Sequence, residues 1–197
     1  MYAFRRIASA VICILGLGIV SGCNTPPPPQ YPELTFAHMP VITLGVSRIE
    51  IVDNFKPMSD AKHIESLMPT SPETALRNWA RDRLRANGVS GVAKFIIEDA
   101  AVTETNLART TGLKGVFTND QAQRYDARVK VSVRLEGVPR VSEAYAEAEA
   151  MHAQTVAENA TVNVREQAWF NLTEAVMKDF DPAMAASIRK HLADFVR

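Results

Sequence analysis

Cysteine is nearly missing from this chain of 197 residues, which holds only Cys13 and Cys23. Nothing beyond position 23 can therefore form a disulfide framework. Thiolate catalysis, zinc–cysteine centres and thiol redox sensing are excluded from the rest of the chain as well. A thiol-free body suits an oxidising compartment. An excess of one charge is missing too: 22 basic side chains stand against 22 acidic ones. That balance argues against a nucleic-acid partner, which calls for a basic surface. Phosphate-binding glycine loops, dinucleotide fingerprints and calcium loops are absent from the sequence. No cofactor or metal is expected.

The start of the chain is unlike the remainder. Arg5 and Arg6 precede an apolar run from Ile7 to Val20, and the small residues Ser21 and Gly22 lead into Cys23. This is the layout of a secretory leader. The run is shorter than the ~20 residues of a membrane-spanning helix and carries Gly16 and Gly18. Without Arg5 and Arg6, the remaining chain has 20 basic and 22 acidic side chains. A surface for polyanions is not expected on such a body.

Val20-Ser21-Gly22-Cys23 resembles the lipobox of bacterial lipoproteins. The resemblance covers the leader and implies that the Cys23 sulfur receives diacylglycerol and that the chain is cut before it, leaving a lipid anchor with palmitate-like acyl chains. Two acyl chains hold a protein on a membrane durably where one is marginal. A plain signal peptide followed by an incidental cysteine is the alternative. In lipoproteins an aspartate after the cysteine favours the inner membrane; Asn24 occupies that place, so the resemblance implies the periplasmic face of the outer membrane. Pro26 to Pro29 then predict an extended spacer. The expected organisation is a signal peptide at 1–22, the lipidated cysteine and tether at 23–40, and a periplasmic domain at 41–197.

Periodicity gives the fold of that domain. Ile42, Leu44 and Val46 alternate, and the phase then shifts to Ile49 and Ile51, predicting a strand with a bulge near Ser47 or Arg48. Ser71, Pro72 and Glu73 open a helix with Leu76, Trp79, Ala80 and Leu84 inward, and Asn87-Gly88 predicts its left-handed stop. Residues 92–102 read as a strand apolar on both faces, and a strand, helix, strand succession predicts a parallel crossover. Residues 106–123 lack a period and read as a long loop or small hairpin. Tyr125, Ala127, Val129, Val131, Val133 and Leu135 alternate with polar residues, as on a half-buried strand.

Ala144, Ala146, Ala148 and Ala150 alternate with Glu143, Tyr145, Glu147 and Glu149. A hairpin whose paired numbers sum to 277 would set Arg134, Lys130 and Arg128 opposite Glu143, Glu147 and Glu149. A helix over 143–158 is the rival, because alanine and glutamate favour helices. Asn163 with Glu166 predicts a helix cap, and Asp181-Pro182 predicts the start of another helix. The chain reads β-α-β-β-β-α-α: a single α+β domain, its mixed, mostly antiparallel sheet covered by helices on one face, with a charged ladder on the other.

Candidate sites are few. His38, His63, His152 and His191 are scattered, without metal-ligand spacing. Glu98 and Asp99 are adjacent in a strand, so they are expected on opposite faces and unable to flank one bond. Gly88-Val89-Ser90-Gly91 lacks the spacing and the strand context of a nucleophile turn. Arg124, Arg128, Lys130 and Arg134 interleave with acidic neighbours as a neutralised wet face. Cys23 is the one site residue expected to carry chemistry, through lipidation, and no catalytic residue is expected. The plan resembles small periplasmic auxiliary and assembly lipoproteins of Gram-negative bacteria. That resemblance implies a non-enzymatic envelope assembly or transport-auxiliary factor, bound to the membrane by lipid and to an envelope protein partner. The alternative is a small-ligand or lipid carrier, with a cavity between sheet and helices lined by Trp79, Trp169, Phe170 and the alanines.

Overall fold

The computed structural model describes residues 30–58, 60, 62–108, 121–139 and 144–197. The folded unit considered below spans Tyr31–Arg197. Its strands are β1 (Ile42–Leu44), β2 (Arg48–Asp53), β3 (Leu84–Ala86), β4 (Val92–Asp99), β5 (Val102–Asn106), β6 (Gln121–Glu136) and β7 (Ala144–Ala157). The helices are α1 (Pro72–Arg83) and α2 (Val162–His191). Five strands form the main sheet, with β2 parallel to β4 and the β4–β6, β5–β6 and β6–β7 pairs antiparallel. The class is α+β, as the order of elements predicts. Among the described residues no helix is long and apolar enough to cross a membrane.

One face of the sheet is dry because its side chains alternate with period two. Phe95, Ile97, Tyr125, Val129, Val131 and Val133 are fully buried there. Both helices cover this face: Trp79 of α1 stacks on Phe95 at 5.6 Å, and Trp169 of α2 meets Tyr125 edge-on at 5.7 Å. Ala146, Ala148 and Ala150 of β7 are also buried, and their small side chains let α2 seat closely beside the valines of β6. Ala148→Leu is therefore expected to cost about 1–3 kcal/mol through overpacking, measured as a lower urea midpoint.

The strand at 144–157 prevails over its helical rival, but the hairpin register differs from the expected one. Lys130 faces Glu149, Arg134 faces Tyr145 and Arg128 faces Met151, two residues away from the expected pairs. A slip of two leaves every side chain on its own face, so alternation cannot distinguish the two registers. Two of the basic residues that favoured the other register, Arg128 and Lys130, pair with β4 instead. Arg128 pairs with Asp99 at 2.6 Å, Lys130 with Glu98 at 3.4 Å, and Lys94 with Glu136 at 2.7 Å.

Three boundaries also depart from expectation. Residues 41–52 make two strands in different sheets, because β1 pairs in parallel with β3. Helix α1 stops at Arg83, and Leu84 turns extended at φ −103° and ψ 136°. Arg85 Nη1 then donates to the carbonyls of Arg81 and Leu84 at 2.5 and 3.0 Å, satisfying groups that a helix end leaves open. Gly88 is thus no left-handed stop. A Cβ there would lie 2.5 Å from the carbonyl carbon of Gly45, so glycine is required by the close approach of two backbones.

At the C-terminus, one helix replaces the expected pair. It is capped by Thr161, whose hydroxyl accepts from Val164 N at 3.4 Å, rather than by Asn163. It continues through Pro182, which costs one backbone hydrogen bond. Phe180, Met184, Ala185 and Ile188 on both sides of the proline are buried in one core, and that continuous stripe holds the helix together. The packed unit also begins earlier than Val41. Residues 31–39, expected to belong to the tether, lie on the helices, and Phe36 is buried.

Candidate functional site

The early start of the unit makes a strap over the two helices. Tyr31 stacks on Phe170 of α2 at 5.3 Å. Asn78 of α1 donates through Nδ2 to the Leu34 carbonyl at 3.0 Å and to Glu33 Oε1 at 3.1 Å. One turn later, Asp82 Oδ2 accepts from Phe36 N at 2.7 Å and from the Thr35 hydroxyl at 2.9 Å. The strap's backbone polar groups are therefore met by the side chains of α1, which are spaced one helical turn apart. Beneath Leu34–Met39 a cleft of about 730 Å³ opens against α2, with His38, Glu174, Lys178 and Asp181 as its titratable lining.

Asp181 ties the helices together behind this cleft. Its Oδ1 accepts from Trp79 Nε1 at 2.7 Å and from Arg83 Nε at 2.8 Å. The Arg83 and Asp181 side chains are 3% and 8% exposed, which takes a salt bridge out of water. The Arg83 guanidinium lies 5.8 Å from the Trp79 ring centroid, within cation–π range. Its Nη1 is buried without a hydrogen-bond partner. Such a node positions α1 against α2 rather than presenting a reactive group.

A second cleft, about 520 Å³, lies over the wet face beside His63, Arg124, Asp126, Arg128 and Met151. Its charges are already paired. Arg124 grips Asp126 through two nitrogens at 2.7–3.0 Å, and Arg128 holds Asp99. His63 bonds Asp60 at 2.7 Å. That bond keeps the Asp60 carboxyl below the usual aspartate range, with help from backbone N–H groups. Along the inner face burial pushes the Tyr125 hydroxyl up, and the charge of Glu104 adds to the effect.

A third cleft, about 460 Å³, runs between the end of β7 and the start of α2. These clefts are lined by side chains other than Trp79, Trp169, Phe170, Ala146 and Ala148. At the sheet–helix boundary where those residues suggested a cavity, Trp79 is fully buried between Phe95 and Phe180, at 5.6 and 5.4 Å. A packed core occupies that place.

The other residues singled out in the sequence fall as follows. Cys23 lies outside the described residues. Two of the four histidines meet: His63, bridged to Thr103, and His152, paired with Asp179 at 3.1 Å, both line the second cleft, whereas His38 lines the strap cleft and His191 ends α2. Glu98 and Asp99 require a correction, because they share the wet face. The ladder shifts register between Ile97 and Asp99, and the extra residue of a bulge re-aims its neighbour. Both carboxylates reach side chains of β6: Glu98 accepts from Ser132 at 2.7 Å and pairs with Lys130, while Asp99 pairs with Arg128. Ala101 N also donates to Asp99 at 3.1 Å. They act as struts of the ladder.

No family model matches this chain, and no curated protein matches it. Among solved structures it is similar to a minor lipoprotein from Acinetobacter baumannii, with 15% sequence identity and a TM-score of 0.33. The alignment covers 74% of this chain and 91% of that one. A likeness of that size carries no argument about this chain.

Sequence reasoning missed the strap and the Asp181 node. The one available signal was Asp181 itself, a carboxylate next to the buried Phe180 in a helical stripe. By local rules alone, Asp181 followed by Pro182 reads as a helix start.

Proposed function

We propose that the protein is a lipoprotein anchored by Cys23 to the periplasmic face of the outer membrane. There it acts as a non-enzymatic envelope assembly or transport-auxiliary factor through contacts with another envelope protein. The observation that carries this reading is Val20-Ser21-Gly22-Cys23 behind a basic, apolar leader. The four prolines that follow favour an extended spacer, and the strap secures the chain at Tyr31, where that spacer ends. Paired charges on the wet face and the engaged carboxylates Glu98 and Asp99 support a contact role over acid–base chemistry, which needs a group free to exchange its proton.

A second reading, a small-ligand or lipid carrier, is favoured by one feature. The cleft beneath Leu34–Met39, about 730 Å³, is within the range of ligand pockets.

Replacing Cys23 tests the anchor. Cys23→Ser is expected to abolish labelling by radioactive palmitate and to move the protein from the membrane pellet to the soluble fraction, since no acyl chain remains. A parent protein whose amino terminus, by mass spectrometry, is at some other position or carries no lipid sinks the reading.

A further inference from the structure

Asp181 is used on one side only. Both of its hydrogen bonds, from Trp79 Nε1 and Arg83 Nε, end on Oδ1, although a carboxylate accepts on both oxygens. Oδ2 receives no hydrogen bond among the described residues, and it is not one of the side-chain atoms sealed inside without a partner. The Asp181 side chain as a whole is only 8% exposed. Trp79 and Arg83 fill the Oδ1 side, and Asp181 lines the cleft beneath Leu34–Met39, so the unused oxygen is turned to that cleft. A nearly buried acceptor without a donor is costly, and a guest that donates to it removes the cost.

The rest of the cleft combines apolar walls with balanced charge. Leu34, Phe36 and Met39 line it from the strap, and Ala175 and Met177 from α2; methionine adapts to irregular apolar guests. Glu174 and Lys178 place opposite charges one helical turn apart at the exposed rim. At the base, Arg83 already pairs with Asp181. A carboxylate head would meet the like charge of Asp181, and an ammonium head would add a second cation to a carboxylate that already holds one. A hydroxyl donates to Oδ2 without taking a charge out of water. The strap is fixed to α1 through Asn78 and Asp82, so the cleft is formed before a guest arrives, which lowers the ordering cost of binding.

We propose that this cleft binds an uncharged alkyl-chain molecule with a hydroxyl head. The hydroxyl donates to Asp181 Oδ2, and the chain lies along Phe36, Met39 and Met177. The proposal rests on the carrier reading of the cleft and names its ligand class; it is independent of the lipid anchor.

Proton–nitrogen NMR tests this on the full chain carrying Cys23→Ser, taken from the soluble fraction so that acyl chains and detergent stay out of the cleft. The two tryptophans give two indole N–H signals, assigned with Trp79→Phe. Titration with 1-octanol is expected to shift the Trp79 signal to saturation, because that N–H shares the Asp181 carboxylate with the guest. The signal of Trp169, which packs on Tyr125, should stay in place. Octyl methyl ether has the same chain without the donor, so it is expected to bind at least tenfold more weakly, as are octanoate and octylammonium. Removing the donor from the probe leaves the Asp181 node intact. Ala175→Leu narrows the cleft and is expected to weaken 1-octanol at least tenfold with the thermal melt unchanged. Monooctanoylglycerol separates two sources of the same chemistry: tighter binding than 1-octanol assigns the cleft to a glyceride head, weaker binding to a free alcohol, and both sustain the proposal. Ether, octanoate or octylammonium binding as tightly as 1-octanol would overturn the hydroxyl assignment and leave the carrier reading standing. Equal shifts of both indoles, or undiminished binding to Ala175→Leu, would put the guest elsewhere and overturn it too. No saturable shift with any probe would sink the proposal and the carrier reading together.

Discussion

Asp181→Ala is expected to lower the unfolding free energy by about 3–5 kcal/mol, read from urea denaturation followed by circular dichroism. Two donors depend on that carboxylate, Trp79 Nε1 and Arg83 Nε. Arg83 is 3% exposed and already holds one unpartnered nitrogen, Nη1. Without Asp181 a full positive charge stays buried with no counter-charge in contact, which is the costly case. The pair itself adds little net stability, because desolvation of both ions offsets their attraction. Arg83→Met combined with Asp181→Leu should therefore recover most of the loss. A neutral single variant would mean that Arg83 reaches water when its partner is gone. A double variant as unstable as the single one would mean that shape at this junction matters more than charge.

This node shows where reading the sequence reaches its limit. Local rules were enough for α1, whose Ser71 cap accepts from Thr74 N at 3.2 Å with Pro72 in the first turn. They were enough for β6 and β7 as well, where period two separates the wet and dry faces. They failed where two solutions share the same local pattern. A two-residue slip of β7 preserves its faces, so only the competition of Glu98 and Asp99 for Lys130 and Arg128 distinguishes the registers. The bulge that puts those carboxylates on one face has no glycine or proline to announce it. Pro182 is a strong breaker locally, yet the buried stripe on both sides of it outweighs one missing hydrogen bond.

The candidate sites divide along the same line. A lipobox is contiguous and legible as a motif. The strap, by contrast, depends on Asn78 and Asp82 meeting residues more than 40 positions earlier in the chain. Its neighbouring cleft and the cleft beside β7 exist only after α2 has packed. None of these sites has a spacing that a sequence pattern could report.

Trp79→Ala is expected to be as damaging as the loss of Asp181, about 3–5 kcal/mol in the same denaturation experiment. The indole is fully buried, stacked on Phe95, edge-on to Phe180 and bonded to Asp181. It therefore joins the sheet, both helices and the ion pair. Trp79→Phe keeps most of the apolar contact and removes the Nε1 donor, so its cost should be nearer the ~1–3 kcal/mol of an imperfectly satisfied buried polar group. Because Trp79 and Asp181 touch, their losses are not additive; a double-mutant cycle should give a coupling of about 0.5–3 kcal/mol. Neither substitution alters the leader or Cys23. Trp79→Ala should therefore reduce the amount of protein in cells, since a smaller folding margin exposes more chain to proteolysis, while every surviving copy remains lipidated and sediments with the membrane. Loss of lipid from the Trp79→Ala survivors would show instead that acylation depends on the folded unit, and would break the separation between anchor and body.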